Sequence, residues 1–235
     1  MEEKIEVLDD RGRFTGRVEP RSVVHSPLAL WHAIVHIFVV SEREGEVYLD
    51  FQQRGLKDET WPGRLDALAG GHVSASPKSQ AGEELVSGHL RRAAVREMAE
   101  EVGVVVEVAD LIYIGRRAAV GFYELGEGKL KYEREIFYVY FIPLDLDLCE
   151  YTCHPQEVNG VARLKARELI TLLLGEGEKI AAEMVDQEHA TPFRREVNVA
   201  SFVPPHLFYF PRVGQNALRY FEGRPMLPLD WTIED

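Results

Sequence analysis

A short acidic run, residues 96–103, carries the side chains best suited to chemistry. Residues three and four apart share one face of a helix, so Glu97, Glu100 and Glu101 are expected to point the same way. No lysine stands at an offset that would relieve their mutual repulsion. Two interpretations are open. The carboxylates form a solvated surface, or they bind a divalent cation such as Mg²⁺, which favours a few carboxylates, several waters and phosphate oxygens.

Two glycines and a histidine stand upstream of this run. Gly70-Gly71-His72 follows a stretch rich in turn residues, 57–66. Glycines that precede a helix allow the backbone to approach a phosphate closely. Two interpretations are open for several histidines: they bind a metal or a phosphate, or they are ordinary hydrogen-bonded residues. His72 is the best functional candidate because it adjoins the glycines. These histidines are His25, His32, His36 and His72.

The order of these segments resembles the signature of a known family. Gly-Gly-His-Val from residue 70, followed by Arg-Glu-x-x-Glu-Glu-x-Gly from residue 96, is similar to the Nudix box. Further segments resemble the branch of this family similar to isopentenyl-diphosphate isomerase, namely His25 and residues 31–33, 35–37, 55–63, 133–136 and 156–161. The resemblance covers roughly residues 5–175. It implies an α/β fold, a Nudix-like α/β/α sandwich with a mixed sheet.

The resemblance also implies an activity and roles for the acidic helix. The protein would be a pyrophosphohydrolase that uses Mg²⁺, or Mn²⁺ in its place, to cleave the diphosphate bond of a small phosphorylated metabolite. Glu97, Glu100 and Glu101 would bind the cation, with Glu97 as the candidate general base. Arg96 would orient a carboxylate through its planar fork, and the alternative for Arg96 is a surface ion pair of little worth.

One position departs from the family's pattern. Counting back from Arg96 places Gly88 where the pattern has a glutamate, and the segment after Gly71 is about eleven residues longer than the pattern allows. Glu83 or Glu84 would supply the missing carboxylate across an insertion. Alternatively, both residues open a longer helix, where acidic side chains suit the helix dipole.

Charged residues elsewhere complete the predicted site. Glu133 and Glu135 flank Arg134, so both carboxylates share one face of a strand. If that face turns to the helix, Glu135 completes the metal site and Glu133 contacts substrate; if it turns to water, both are surface residues. The other predicted substrate contacts are Gly70, Gly71, His72, Arg54 and Lys57.

Hydrophobic periodicity and turn residues predict the elements that position these side chains. The acidic run lies in a helix over 89–102 that Gly103 ends. The predicted strands are a hairpin within 4–20, a pair at 31–40 and 47–52, and strands at 104–108, 111–116, 133–142 and 157–164. The other predicted helices cover 167–174, 179–188 and 213–222.

We place a domain boundary after residue 175. The extension 176–235, rich in aromatic residues and proline over 191–211, would cover the active-site cleft or form a dimer interface.

Composition narrows the range of molecules that the protein is expected to bind and the compartment in which it is expected to work. The net charge of −12 and the lack of a basic stripe argue against nucleic-acid binding. No apolar run approaches the ~20 residues that span a bilayer, and the start of the chain lacks the features of a signal peptide. Cys149 and Cys153 suit a reducing compartment. We expect a cytoplasmic enzyme acting on a small molecule, with a homodimer as one option.

The sequence leaves two rival functions open. Isopentenyl-diphosphate isomerase chemistry uses, in that family, a cysteine just before the position that His72 matches, and residues 67–71 contain no cysteine. A non-catalytic Nudix domain that binds a nucleotide or a partner protein is favoured by the missing box glutamate and opposed by the intact helix carboxylates. The group attached to the diphosphate stays open among a nucleoside, a thiamine-like base, an isoprenoid and a sugar.

Overall fold

Residues 2–57, 60–75, 87–124, 130–189 and 191–229 are described by a computed structural model. In these ranges the strands are β1 (Lys4–Leu8), β2 (Phe14–Pro20), β3 (Trp31–Arg43), β4 (Glu46–Arg54), β5 (Leu65–Ala67), β6 (Ala69–His72), β7 (Ile112–Glu124), β8 (Leu130–Pro143), β9 (Val158–Lys165), β10 (Ile180–Asp186) and β11 (Phe193–Val197). The helices are α1 (Arg21–Val24), α2 (Ser87–Val102), α3 (Ala166–Leu173) and α4 (Phe210–Phe221). None of these helices is long and apolar enough to cross a membrane.

The large sheet is mixed and is covered on both faces. Its strand order is β11-β10-β9-β4-β3-β8-β7, in which β3 runs parallel to β8 and antiparallel to β4. Successive side chains of a strand point to opposite faces, so β3 contributes to two cores. Val35 and Ile37 pack in one core with Met98 of α2. Phe38 and Val40 pack in the other, with residues of α3 and α4. The predicted α/β/α sandwich with a mixed sheet is confirmed.

The central strands separate at one end and leave room for a cleft. β3 and β4 pair only between residues 40–43 and 46–49. Beyond that point the segment carrying β5 and β6 enters the gap, because β6 pairs with residues 34–37 of β3 and β5 pairs with residues 51–53 of β4. Gly70 and Gly71 therefore lie between the two diverging central strands, beside α2.

Helix α2 ends where the sequence predicts. Gly103 has a φ of +71°, the left-handed region that glycine adopts at little cost. A Cβ atom at this position would also meet the Cβ atom of Thr152 at 2.7 Å. Backbone conformation and close packing thus both require glycine, and together they end the helix directly after Glu101 and Val102.

Two predicted elements are wrong. Residues 104–108 form no strand but lead into a short 3-10 turn, and most of the helix predicted over 179–188 is strand β10, Ile180–Asp186. β10 pairs with the edge of β9, which buries Ala182 and Met184 while Ala181 and Glu183 stay exposed. Pairing with an available sheet edge outweighs local helix propensity here. The large sheet thus continues past residue 175, and the domain boundary placed there stays a prediction.

Candidate active site

A cavity of about 520 Å³ opens where β3 and β4 separate. Its wall includes most of the predicted site residues, which are Arg54, Gly70, Gly71, His72, Arg96, Glu97, Glu100, Glu101, Glu133 and Glu135. Lys57 is exposed and is not part of the wall. Glu83 and Glu84 lie outside the described residues. The fold thus brings residues from α2, β4, β6 and β8 into one cavity.

Helix α2 presents its three carboxylates at different depths. Glu97 and Glu101 are buried, with 9% and 8% of their surface exposed, whereas the side chain of Glu100 is 61% exposed. Oε2 of Glu101 accepts hydrogen bonds from the backbone N–H of Gly70 at 3.0 Å and from Nε2 of Gln52 at 3.2 Å. Glu97 and Glu101 are therefore not part of a solvated surface, which is one of the two interpretations of the sequence. Carboxylates are rarely buried unless they are paired.

The surroundings of the two buried carboxylates, Glu97 and Glu101, carry too little positive charge to balance them. Burial raises the pKa of Glu97 to about 7, although the ion pair with Arg96 opposes this shift. Burial and the nearby charge of Glu97 raise the pKa of Glu101 well above its ordinary value. A divalent cation would supply the missing countercharge, and carboxylate oxygens are the ligands that Mg²⁺ favours. The residues present fit a Mg²⁺ site.

Gly70 and Gly71 of β6 have no side chain, and this allows residues of α2 and β3 to pack closely against the strand. A Cβ atom at Gly71 would overlap the carboxylate of Glu97. A Cβ atom at Gly70 would lie 2.7 Å from Cδ2 of His36 and 2.9 Å from the carbonyl oxygen of Val35. The absence of a side chain at both positions therefore lets α2 and β3 approach β6 from opposite sides.

Three histidines and Glu135 form a second set of possible metal ligands. Their ligand atoms lie within 4.8 Å of one another, although His25 follows α1, His32 is the second residue of β3 and His72 ends β6. Nε2 of His25 lies 2.8 Å from Nε2 of His72, and Nε2 of His32 lies 3.5 Å from Oε1 of Glu135. The strand register explains part of this grouping, because His32 pairs with Glu135 across β3 and β8.

The protonation of this group also fits a bound cation. Burial and the nearby charge of His32 lower the pKa of His25 to about 3 and that of His72 well below its ordinary value. Neutral imidazoles offer lone pairs, and nitrogen with carboxylate oxygen suits cations such as Mn²⁺ or Zn²⁺. Glu135, predicted to complete the site on α2, belongs to this histidine group and lines the same cavity as the α2 carboxylates. Glu133 lies 2.6 Å from Nζ of Lys131, and burial followed by the charge of Glu135 raises its pKa.

Sequence reasoning missed a third polar group, which includes two residues from the C-terminal segment. Nδ1 of His206 lies 2.7 Å from Oδ1 of Asp66, and Nδ1 of His36 lies 2.5 Å from the hydroxyl oxygen of Tyr209. His206 lines the cavity, and Phe202 and Tyr209 beside it are fully buried. Val203 and Pro205 of the same aromatic segment also line the cavity. No local pattern signals the pairing of residues 66 and 206, because 140 positions separate them.

The pKa of Glu97 leads to a prediction about stability. Its folded-state pKa is raised to about 7, so its stabilising contribution is complete below the unfolded-state pKa near 4.5 and is lost as the pH rises through about 7. Urea unfolding in EDTA should therefore show falling stability between these pH values, and Glu97→Gln should reduce the slope. The exposed Glu176→Gln is the control. Equal slopes for wild type and Glu97→Gln would contradict the assigned burial.

Known proteins are similar to this chain over most of its length. The profile of the NUDIX domain matches residues 30–187. An uncharacterized Nudix hydrolase of Clostridium acetobutylicum is 28% identical over 212 residues, which cover 89% of this chain and 94% of that protein. Nudix hydrolase 3 of Arabidopsis thaliana is 28% identical over 195 residues, covering 82% of this chain and 23% of that longer protein.

A solved structure from Deinococcus radiodurans aligns with a TM-score of 0.45 and 19% identity, covering 72% of this chain and 87% of that one. The match to the NUDIX domain begins at the strand that carries His32 and ends just after β10. Because it takes in well over half of the 235 residues, including α2 with its acidic face, this chain belongs to the Nudix hydrolase family.

Proposed function

We propose that this Nudix hydrolase cleaves the diphosphate bond of a small phosphorylated metabolite, with Mg²⁺ held by Glu97, Glu100 and Glu101. The observation that supports this most strongly is the pair of buried carboxylates, Glu97 and Glu101, which face a cavity with too little positive charge to balance them. Mn²⁺ is expected to substitute for Mg²⁺. The more specific similarity to the isopentenyl-diphosphate isomerase branch stays a prediction.

The chain's own residues would hold the reacting groups in place. Gly70 and Gln52 fix the Glu101 carboxylate by hydrogen bonds, and Arg96 pairs with Glu97. Arg21, Arg54 and Lys131 also line the cavity and would attract the phosphates. When bound, Mg²⁺ would neutralise diphosphate oxygens and favour ionisation of a water molecule.

Further substrate contacts are proposed for β6 and β8. Gly71 lies directly against Glu97, and Gly70 and Glu133 line the same cavity. His72 is proposed to act together with His25, His32 and Glu135 as ligands of a second divalent cation, since their donor atoms converge. Lys57, exposed and outside the wall, has no such support and stays a sequence-based prediction.

The cavity wall favours hydrolysis over isomerisation. Cys149 is exposed, and neither Cys149 nor Cys153 belongs to the wall, so neither supplies the thiol that the resemblance implies for an isomerase. The burial of Glu97 and Glu101 argues against a domain that only binds a partner, because burying two carboxylates without a cation opposes folding.

The test is a substrate panel assayed with Mg²⁺. Diphosphates of a nucleoside, a thiamine-like base, an isoprenoid and a sugar are incubated with the protein, and phosphate release and product masses are measured. EDTA should reduce turnover of the best substrate at least ~100-fold, because the cation stabilises charge that develops during cleavage.

Added Mg²⁺ or Mn²⁺ should restore this activity. Full turnover in EDTA would refute the metal-dependent mechanism. Isomerised isopentenyl diphosphate without phosphate release would instead support the rival enzyme.

A further inference from the structure

A pair of side chains on the cavity wall, Asp66 of β5 and His206 of the C-terminal segment, is separate from the two groups of metal-ligand candidates. Nδ1 of His206 donates a hydrogen bond to Oδ1 of Asp66 at 2.7 Å. The same Oδ1 accepts the N–H of Ala67 at 2.8 Å, and Oδ2 accepts Nη1 of Arg54 at 3.2 Å. Asp66 is only 4% exposed. These donors keep the buried carboxylate ionised, so the imidazole proton is held on Nδ1.

The other ring nitrogen of His206, Nε2, is available to a molecule bound in the cavity. His206 belongs to the cavity wall, and none of the described residues is hydrogen-bonded to its Nε2. Its ring is enclosed by those of His36 at 4.9 Å, Phe137 at 5.3 Å and Tyr209 at 5.7 Å between ring centroids. The ring orientation is therefore set by packing as well as by Asp66.

A cation is not the better explanation for this group. His36, Asp66 and His206 have ligand atoms within 4.8 Å of one another. However, both carboxylate oxygens of Asp66 already accept hydrogen bonds, from His206 and from the cationic Arg54, and Nδ1 of His36 is hydrogen-bonded to Tyr209. Aspartate that fixes a histidine tautomer and leaves Nε2 facing a cavity is the arrangement used for proton transfer.

The pair lies close to the acidic helix. The ring of His36, which contacts His206, would touch a Cβ atom at Gly70, and the N–H of Gly70 donates to Glu101. Arg54 contacts Asp66 and lines the same cavity. His206 and the α2 carboxylates therefore line one cavity, which a diphosphate bound beside Glu101 would occupy.

We propose that Asp66 and His206 form a proton-accepting dyad, in which Nε2 of His206 takes a proton from the water that attacks the diphosphate. This inference rests on the proposed hydrolase function. The water oxygen bonds to one phosphorus, the bridging P–O bond breaks, and its electron pair leaves with the departing phosphate. One water proton passes to Nε2 and the other stays on the new P–OH group. His206 then releases its proton to solvent.

Asp66 acts as a positioning residue in this scheme. It fixes the tautomer and stabilises the imidazolium that forms. The other titratable groups that face His206 are His36 from β3 and Tyr209 from the C-terminal segment, and Arg117 from β7 lies over the Tyr209 ring at 4.7 Å. Glu97, the base suggested by the sequence, is instead engaged by Arg96 and placed among the proposed metal ligands.

The test uses a variant that removes Nε2 of His206 and retains the hydrogen bond to Asp66. In His206→Asn the side-chain amide can still donate to Asp66 where Nδ1 did. With the best substrate of the panel, kcat should fall at least ~100-fold, the usual scale of acid–base catalysis. The acidic limb of the kcat profile should disappear, and Mg²⁺ affinity measured by calorimetry should stay unchanged. Asp66→Asn should lower kcat and shift that limb to lower pH, because the imidazolium loses its partner.

Two further measurements make the result decisive. His189→Asn is the matched control, since His189 forms the same kind of pair with Asp186, at 2.9 Å, on the exposed surface. It should leave kcat and the pH profile unchanged. Nitrogen-15 spectra of the wild type should show His206 protonated at Nδ1, and an Nε2-protonated tautomer would refute the dyad even if the variants fold poorly. Near-normal kcat and an intact acidic limb in His206→Asn would refute the dyad alone, whereas a wild type inactive on every diphosphate would refute the proposed function and the dyad with it.

Discussion

Glu101→Gln should lower Mg²⁺-dependent hydrolysis by roughly two to three orders of magnitude, the usual cost of removing a group that stabilises transition-state charge. Glutamine preserves the shape of the side chain and an oxygen that can accept the N–H of Gly70. It removes the negative charge that a cation needs.

The same substitution should have the opposite effect on the fold without metal. Burial disfavours the charged form of Glu101, so the neutral amide should melt no lower than wild type in EDTA. With Mg²⁺ the variant should lose most of the ligand-induced rise in melting temperature. Glu100→Gln, whose side chain is 61% exposed, should share the loss of metal affinity but gain little stability.

Melting curves, calorimetric Mg²⁺ titration and product release measure these three effects, with Glu176→Gln as the exposed control. A well-folded Glu101→Gln protein with normal metal affinity and normal turnover would show that α2 holds no catalytic cation.

Gly71→Ala should reduce turnover roughly 100-fold, because misplacing a reactive group by about 1 Å has costs on this scale. A methyl group at Gly71 would overlap the carboxylate of Glu97, so either Glu97 or β6 must move. The effect should appear in kcat and in Mg²⁺ affinity together, since both depend on where the Glu97 carboxylate lies.

Gly88→Ala is the matched control in α2. A Cβ atom there has Arg92 Nη1 at 3.4 Å as its nearest contact, and alanine favours a helix over glycine by about 1 kcal/mol. This variant should keep normal turnover and unfold at equal or higher temperature. Normal activity in Gly71→Ala would mean that the close contact between β6 and Glu97 has no role in catalysis.

Local sequence patterns were sufficient for much of the fold and for part of the site. The apolar spacing and Gly103 determine helix α2, and the alternation along β3 supplies a core on each face of the sheet. The spacing of Glu97, Glu100 and Glu101 places all three on the wall of one cavity. These features depend on contacts between residues close in sequence, so a period of 3.6 or 2 residues is enough to predict them.

The tertiary structure decided which of these groups are buried and what they meet. The helix period cannot tell that Glu101 is covered and Glu100 exposed, because the covering atoms come from β4 and β6. Likewise, His32 meets Glu135 through the register of two parallel strands, and Asp66 meets His206 across 140 positions. Edge pairing also made a strand of residues 180–186. Such contacts depend on how distant segments are brought together by packing of the two cores, and no local pattern in the chain encodes them.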